Sequence, residues 1–372
     1  MQDKRPRLFA TDKELYDLMY SAKQRITDGV LHRATRERGV FFGASTTRAD
    51  LADYISMTIH DLQDVVELVK DAEPGTRGER TSSLALKMKL DVAEIKEVMK
   101  EYADTDGRGD NVSVQQKTSE ALTASVAYSE FDLSRTTLAQ RQDRVATLDF
   151  KVEDDGIVIR YPANDKGREI VDIFIEKLES KKKSQLQQER VAVEDLSPED
   201  RTRFFVNLVT RMSGFRLDTV TKLKVSSASI SEDDLELDDD DDTAEKDVAK
   251  SEMINLVKNV ALTGNDLLVS KQYKQMEEDG FFITAIKWEA TQTVHPFDKA
   301  EFEALFENPQ EGTGFQYRAR HSRRSERTGS YPHNFKLPDD AIKKVLFSLL
   351  EQTARTVLAD IRSSRPIAKG EK

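Results

Sequence analysis

The sequence predicts an α+β protein with a helical N-terminal region followed by mixed, largely antiparallel sheet with helices. Three observations lead there. Apolar residues recur at helical spacing through roughly the first hundred positions, and beyond the turn-rich "DTDGRGDN" (Asp104 to Asn111) they alternate in period two. Helical and strand patterns then intermix without a sustained βαβ alternation, which favours α+β over a doubly wound sheet. With 372 residues the chain can form two or three cores. The expected division is a helical domain with tandem repeats over 1–108, an α+β domain over 109–230, an acidic linker over 231–250 and a second α+β domain over 251–372.

The first helix is expected in "TDKELYDLMYSAKQRI", where Leu15, Leu18, Met19, Ala22 and Ile26 share one face. Thr11 and Glu14 have the spacing of a capping box. The basic stretch "LHRATRERG" follows and carries Arg33, Arg36 and Arg38. Two segments 33 residues apart then repeat each other, "LADYISMTIHDLQDVVELV" from Leu51 and "LALKMKLDVAEIKEVMKEY" from Leu84. Leu51, Ala52, Ile55, Leu62, Val65 and Val66 align with Leu84, Ala85, Met88, Ile95, Val98 and Met99. Each copy reads as a short helix, a turn and a second helix, with Thr58 and Asp61, or Asp91 and Glu94, as caps.

This spacing resembles the helix-turn-helix superfamily, although Ser56 and Lys89 stand where that motif commonly has glycine. A generic helical bundle has the same core spacing. The exposed positions of the second helices include Asp61, Asp64 and Glu67 in one copy and Glu94, Glu97 and Glu101 in the other. Acids facing phosphate are repelled, so these helices suit a protein partner better than a DNA groove, with Glu94 and Glu97 as the candidate contacts.

Beyond residue 111, "VSVQQK", "LTASVAYSEF" and "VATLDFKVEDDGIVIRYP" read as strands. The last is a hairpin in which Phe150 and Val152 face Ile157, Ile159 and Tyr161 across "EDDG". Helices follow over Ile170–Leu178 and from Ser197, where Pro198 suits the first helical position and Asp200 completes a capping box. "TVTKLKV" reads as a strand. Further on, "FFITAIKWEAT", "FDKAEFEALF" and "FQYRARH" read as strand, helix and strand. A long amphipathic helix starting near Pro338, Asp339 and Asp340 ends the pattern.

The net charge of −11 is unevenly distributed. Glu232 to Asp242 holds nine acids and no base, and the rest of the chain carries only −2. Such a run is expected to be a solvated spacer, or an internal competitor for the protein's own cations. With no cysteine, disulfides, thiolate metal sites and cysteine nucleophiles are excluded, and cytoplasmic localisation is the default expectation. There is no run of 18 apolar residues, so no membrane association is expected. No P-loop, GxGxxG or GxSxG motif occurs, and no cofactor or metal is expected. The five histidines never pair at HxH or HxxxH spacing. A metal-dependent nuclease would need acids such as Asp154, Asp155 and Glu289 to converge near Lys287, and the glutamate–lysine order in "IKWE" does not match the usual arrangement.

Against this acidic background, "FQYRARHSRRSERTG" places Arg318, Arg320, Arg323, Arg324 and Arg327 within ten residues. Arginine offers a planar fork of donors suited to phosphate. On a strand, Arg318 and Arg320 share a face, and the other three would follow on a flexible, serine-bearing loop. The alternatives are pairing with the chain's own acids or an uncommitted loop. The leading expectation is a non-catalytic adaptor that contacts a DNA or RNA backbone through these arginines, together with Arg33, Arg36 and Arg38, and docks a protein through its N-terminal helices. The alternatives are a purely protein-binding subunit and a metal-dependent nuclease.

Overall fold

The computed structural model describes residues 10–72, 79–107, 109–227 and 281–365. The acidic run Glu232 to Asp242 lies outside the described residues. Among those described, the chain is α+β. It runs through α1 (Asp12–Ser21), α2 (Asp28–Glu37), α3 (Arg48–Ser56), α4 (Leu62–Ala72), β1 (Thr81–Leu86), α5 (Val92–Thr105), β2 (Asn111–Thr118), β3 (Ala121–Phe131), β4 (Arg141–Glu153) and β5 (Gly156–Pro162). It continues through α6 (Asp165–Lys182), β6 (Gln188–Glu189), α7 (Pro198–Thr210), β7 (Phe215–Ser227), β8 (Phe281–Gln292), β9 (Lys299–Asn308), β10 (Thr313–Ser322) and α8 (Asp340–Ser364). The strands form an antiparallel sheet in the order β2-β3-β4-β5-β1-β10-β9-β8-β7, with β6 paired to β1.

The chain forms two compact units that interleave in sequence. One comprises Met1–Gly78, Met99–Val114 and Ala124–Thr147, and the other Glu79–Val98, Gln115–Thr123 and Leu148–Lys372. In the first, Leu15, Leu18, Met19, Ile26, Leu31, Leu51, Ala52 and Ile55 make the core between α1, α2 and α3. The capping box at Thr11 and Glu14 forms as the spacing predicts. A second box at Thr47 and Asp50 starts α3. The start of α4 lies one turn later than expected. Asp61 and Asp64 exchange backbone and side-chain hydrogen bonds there, while the Thr58 hydroxyl donates back to the Ile55 carbonyl.

The tandem repeat divides at this level. The first copy is a helix pair, α3 and α4. In the second, the segment from Leu84 lies in strand β1, followed by α5 with the expected reciprocal cap of Asp91 and Glu94. β1 pairs with β5 from Thr81↔Pro162 to Leu86↔Ile157, and also with β6 and β10, so Leu84 and Leu86 are buried in mid-sheet. A short apolar cluster fits a buried strand as well as a helix, and pairing on both edges decides between them.

The second unit places α7 and α8 against the sheet. The Phe150↔Ile159 and Val152↔Ile157 pairs of the β4–β5 hairpin match the expected register. Gly156, at its turn, is obligatory: a Cβ there would lie 2.0 Å from the Leu86 carbonyl oxygen. The expected helix in "FDKAEFEALF" is instead strand β9. Its Ala300, Phe302, Ala304 and Phe306 are all buried on one face, with Glu301, Glu303 and Glu307 alternating with them. Alanine, leucine and glutamate favour helices, but sheet pairing on both sides overrides propensity. Trp288 on β8 is wholly buried and stacks on Phe302, a core role. At α7, Ser197 caps the Asp200 N–H, but the Asp200 carboxylate receives Arg365 in place of completing a box.

Candidate functional site

Three stretches of the second unit line an open cavity of about 840 Å³: the β8–β9 connection, the loop after β10 and the first turns of α8. β10 explains how its polar floor arises. Phe315, Tyr317 and Ala319 alternate into the core, and the next position on that face is His321. His321 opposes Ala300 on β9, and Asp298 lies two residues before Ala300 on the same side. The two side chains meet, with His321 Nε2 3.0 Å from Asp298 Oδ2, and both residues are more than nine-tenths buried. Asp298 Oδ1 accepts the Arg324 backbone N–H at 2.8 Å, and the Asp298 N–H donates to Gln292. A two-way bridge to Lys336 fixes the His321 main chain.

Because a carboxylate only accepts, the His321 proton facing Asp298 resides on Nε2. Nδ1 has no hydrogen-bond partner among the described residues, and His321 lines the cavity. Arg324 is also held in place. Its guanidinium lies 5.9 Å from the Phe297 ring centroid, and its Nε donates to the Gly329 carbonyl. That leaves its terminal nitrogens as an oriented fork. Arg323 pairs with Asp339, which also caps α8, but both are exposed, so this pair is weak and exchangeable. Arg327 is exposed and makes no hydrogen bond or ion pair with the described residues. The loop carrying these arginines is more ordered than expected: Ser325 and Ser330, and Gly329 and Ser325, are joined by backbone hydrogen bonds.

The arginine segment therefore splits. Arg318 and Arg320 share a face as strand alternation requires, but β9 places Glu303 and Glu301 opposite them. Arg318 pairs with Glu303, which also receives Arg80 at 2.8 Å, and Arg320 lies 3.7 Å from Glu301. Burial pushes the Glu303 carboxyl up, but the Arg80 hydrogen bond and the charges of Arg80 and Arg318 outweigh it and hold the group below its ordinary range. These two arginines are compensated within the sheet. Among the described residues, the arginines of this segment without an ion-pair partner are Arg324 and Arg327 of the loop.

In the other unit, Arg33 and Arg36 are exposed three residues apart on α2. Arg38 is a clamp: it contacts Thr58, the Ile59 carbonyl, His60 and Asp64, tying the end of α2 to the α3–α4 turn. Glu94 and Glu97 face lysines of their own chain, Lys182 and Lys181 on α6. The Lys182 hydrogen bond, then the Asp91 contact, holds Glu94 below its ordinary range. Asp154 and Asp155 lie in the β4–β5 turn, and Lys287 pairs with Glu301. Among the described residues no three histidine or carboxylate side chains gather in a metal-holding group. No helix among them is long and apolar enough to cross a membrane.

Sequence reasoning missed Asp298 and Phe297, which lie in "HPFD" between two strands, one of them composed of helix-favouring residues. A polar residue ending the apolar alternation of β10 was the available signal. No protein-family model matches the chain, and no curated protein is similar to it.

Proposed function

We propose that the protein is a nucleic-acid-associated adaptor whose phosphate-contacting element is the loop from Arg323 to Arg327. One observation carries this reading: Arg324 is held against Phe297 with no partner for its terminal nitrogens among the described residues, is flanked by the exposed Arg323 and Arg327, and lines a sizeable cavity. A pre-oriented guanidinium loses less freedom on binding a phosphate than a mobile one. Protein docking is assigned to the N-terminal helices. At the α3–α4 turn Met57, Ile59 and Leu62 are 63%, 95% and 48% exposed, an apolar cluster of the kind that marks contact sites.

Binding of a single-stranded oligonucleotide, measured against salt, tests the proposal. Replacing Arg323, Arg324 and Arg327 together with alanine should reduce the slope of log affinity on log salt by about 0.7 for each phosphate no longer neutralised. An unchanged slope would remove the loop from the interface.

A further inference from the structure

The cavity behind the arginine loop is larger than a backbone phosphate requires. Its volume of about 840 Å³ falls in the range of small-molecule sites, about 300–1,000 Å³. Its walls are divided by chemistry. Phe297, Ile342, Val345 and Leu346 supply apolar lining, and Arg323 and Arg324 supply cationic lining. His321 also lines it, buried, with Nε2 committed to Asp298 and Nδ1 without a hydrogen-bond partner among the described residues. Because His321 lines the cavity, its Nδ1 is available to accept a hydrogen bond from a ligand group.

From this division we infer that the cavity takes one nucleotide unit, its base against the apolar wall and its phosphate on Arg324 and Arg323. The inference rests on the phosphate-binding reading of the loop and specifies what enters behind it. A flat heteroaromatic ring matches the apolar side, since bases stack on aromatic and aliphatic side chains whatever their sequence. Every base also carries an N–H on its edge, and the His321 tautomer with its proton on Nε2 offers Nδ1 as an acceptor for it. The arginine fork matches two phosphate oxygens. Of the acids on the lining, Asp298 is already occupied by two N–H donors, and Glu326 is exposed on the loop where salt screens it. The unit could come from a free nucleotide or from the end of a strand, and the chemistry of recognition is the same for both.

Four probes of the full chain separate these sources: adenosine 5′-monophosphate, a linear single strand with a 5′-phosphate, the same strand with a 5′-hydroxyl, and a covalently closed circle of that strand. Adenosine 5′-monophosphate should bind the unaltered protein at least tenfold more tightly than adenosine or inorganic phosphate alone. Val345→Trp, at an exposed position that tolerates bulk, should fill the mouth and weaken that binding at least tenfold, and Arg324→Ala should do the same. A preference for the phosphorylated over the hydroxyl end would identify the strand terminus as the source. Equal binding of both ends, with mononucleotide binding retained, would identify the free nucleotide. The circle has no end and reports backbone contact alone. If the circle bound with an arginine-dependent salt slope while adenosine 5′-monophosphate did not bind, or bound Val345→Trp unchanged, the cavity inference would fail and the loop proposal would stand. If the mononucleotide bound as described while the circle showed no arginine-dependent slope, the backbone proposal would fail and the cavity would be a free-nucleotide site.

Discussion

Arg160 on β5 and Glu351 on α8 form a two-pronged ion pair in the interior of the second unit, with Nε to Oε1 at 2.7 Å and Nη2 to Oε2 at 2.9 Å. Ser348 accepts a further Arg160 N–H, and the Tyr317 hydroxyl donates to Glu351. The guanidinium is thus held protonated: burial opposes the charge, but the Glu351 hydrogen bond and charge outweigh it.

Removing one partner strands the other in a dry interior. Glu351→Ala should therefore destabilise the protein by about 3–5 kcal/mol, and Arg160→Met with Glu351→Leu should recover most of that deficit. Urea unfolding of the single and double variants checks it. Additive effects in the double variant would mean that the pair does not act as a unit.

Tyr317 makes the same network sensitive to base. Burial, then the Glu351 charge, pushes its hydroxyl well above the ordinary tyrosine value. In the unfolded chain the group ionises near pH ~10. The folded state holds its proton longer, so the stabilisation is complete below that pH and declines as pH rises beyond it. Burial raises Tyr161 in the same direction. The urea midpoint should fall between pH 9 and 11, and less steeply in Tyr317→Phe, whose ring cannot ionise. A slope identical in both would assign the base sensitivity elsewhere.

The two halves of the arginine segment should respond in opposite ways. Arg318→Ala breaks the compensation of Glu303 and should lower stability by about 1 kcal/mol while leaving the salt slope of oligonucleotide binding intact. Arg327→Ala should lower the slope and leave stability unchanged. Glu303, held below its ordinary value, contributes stability above its unfolded pKa that is lost as pH falls through its folded one. Arg318→Ala should flatten that acid limb. Thermal melts across pH 3–6, paired with salt titrations, separate the two behaviours.

Much of the architecture was legible because local patterns agreed with tertiary pairing. The β4–β5 hairpin, the first capping box and the helical stripe of α8 follow directly from spacing. Two elements were not. β9 is written in residues that favour helices, and only its neighbours β8 and β10 make Ala300, Phe302, Ala304 and Phe306 a strand face. The segment around Leu84 repeats the apolar spacing of α3, yet β5 and β10 recruit it to the sheet. The cavity was hidden for a related reason. Asp298 and His321 lie in different elements, and their proximity depends on a register visible only once β9 is a strand. The arginines were conspicuous, but sequence could not show that Glu301 and Glu303 compensate two of them.

The last helix serves two places at once. Ile342, Val345 and Leu346 wall the cavity, and Glu351 lies five residues beyond Leu346, about 7–8 Å along the same rod. A swing of that wall would act directly on the interior ion pair, so the cavity on this side is coupled to the core through a single helix.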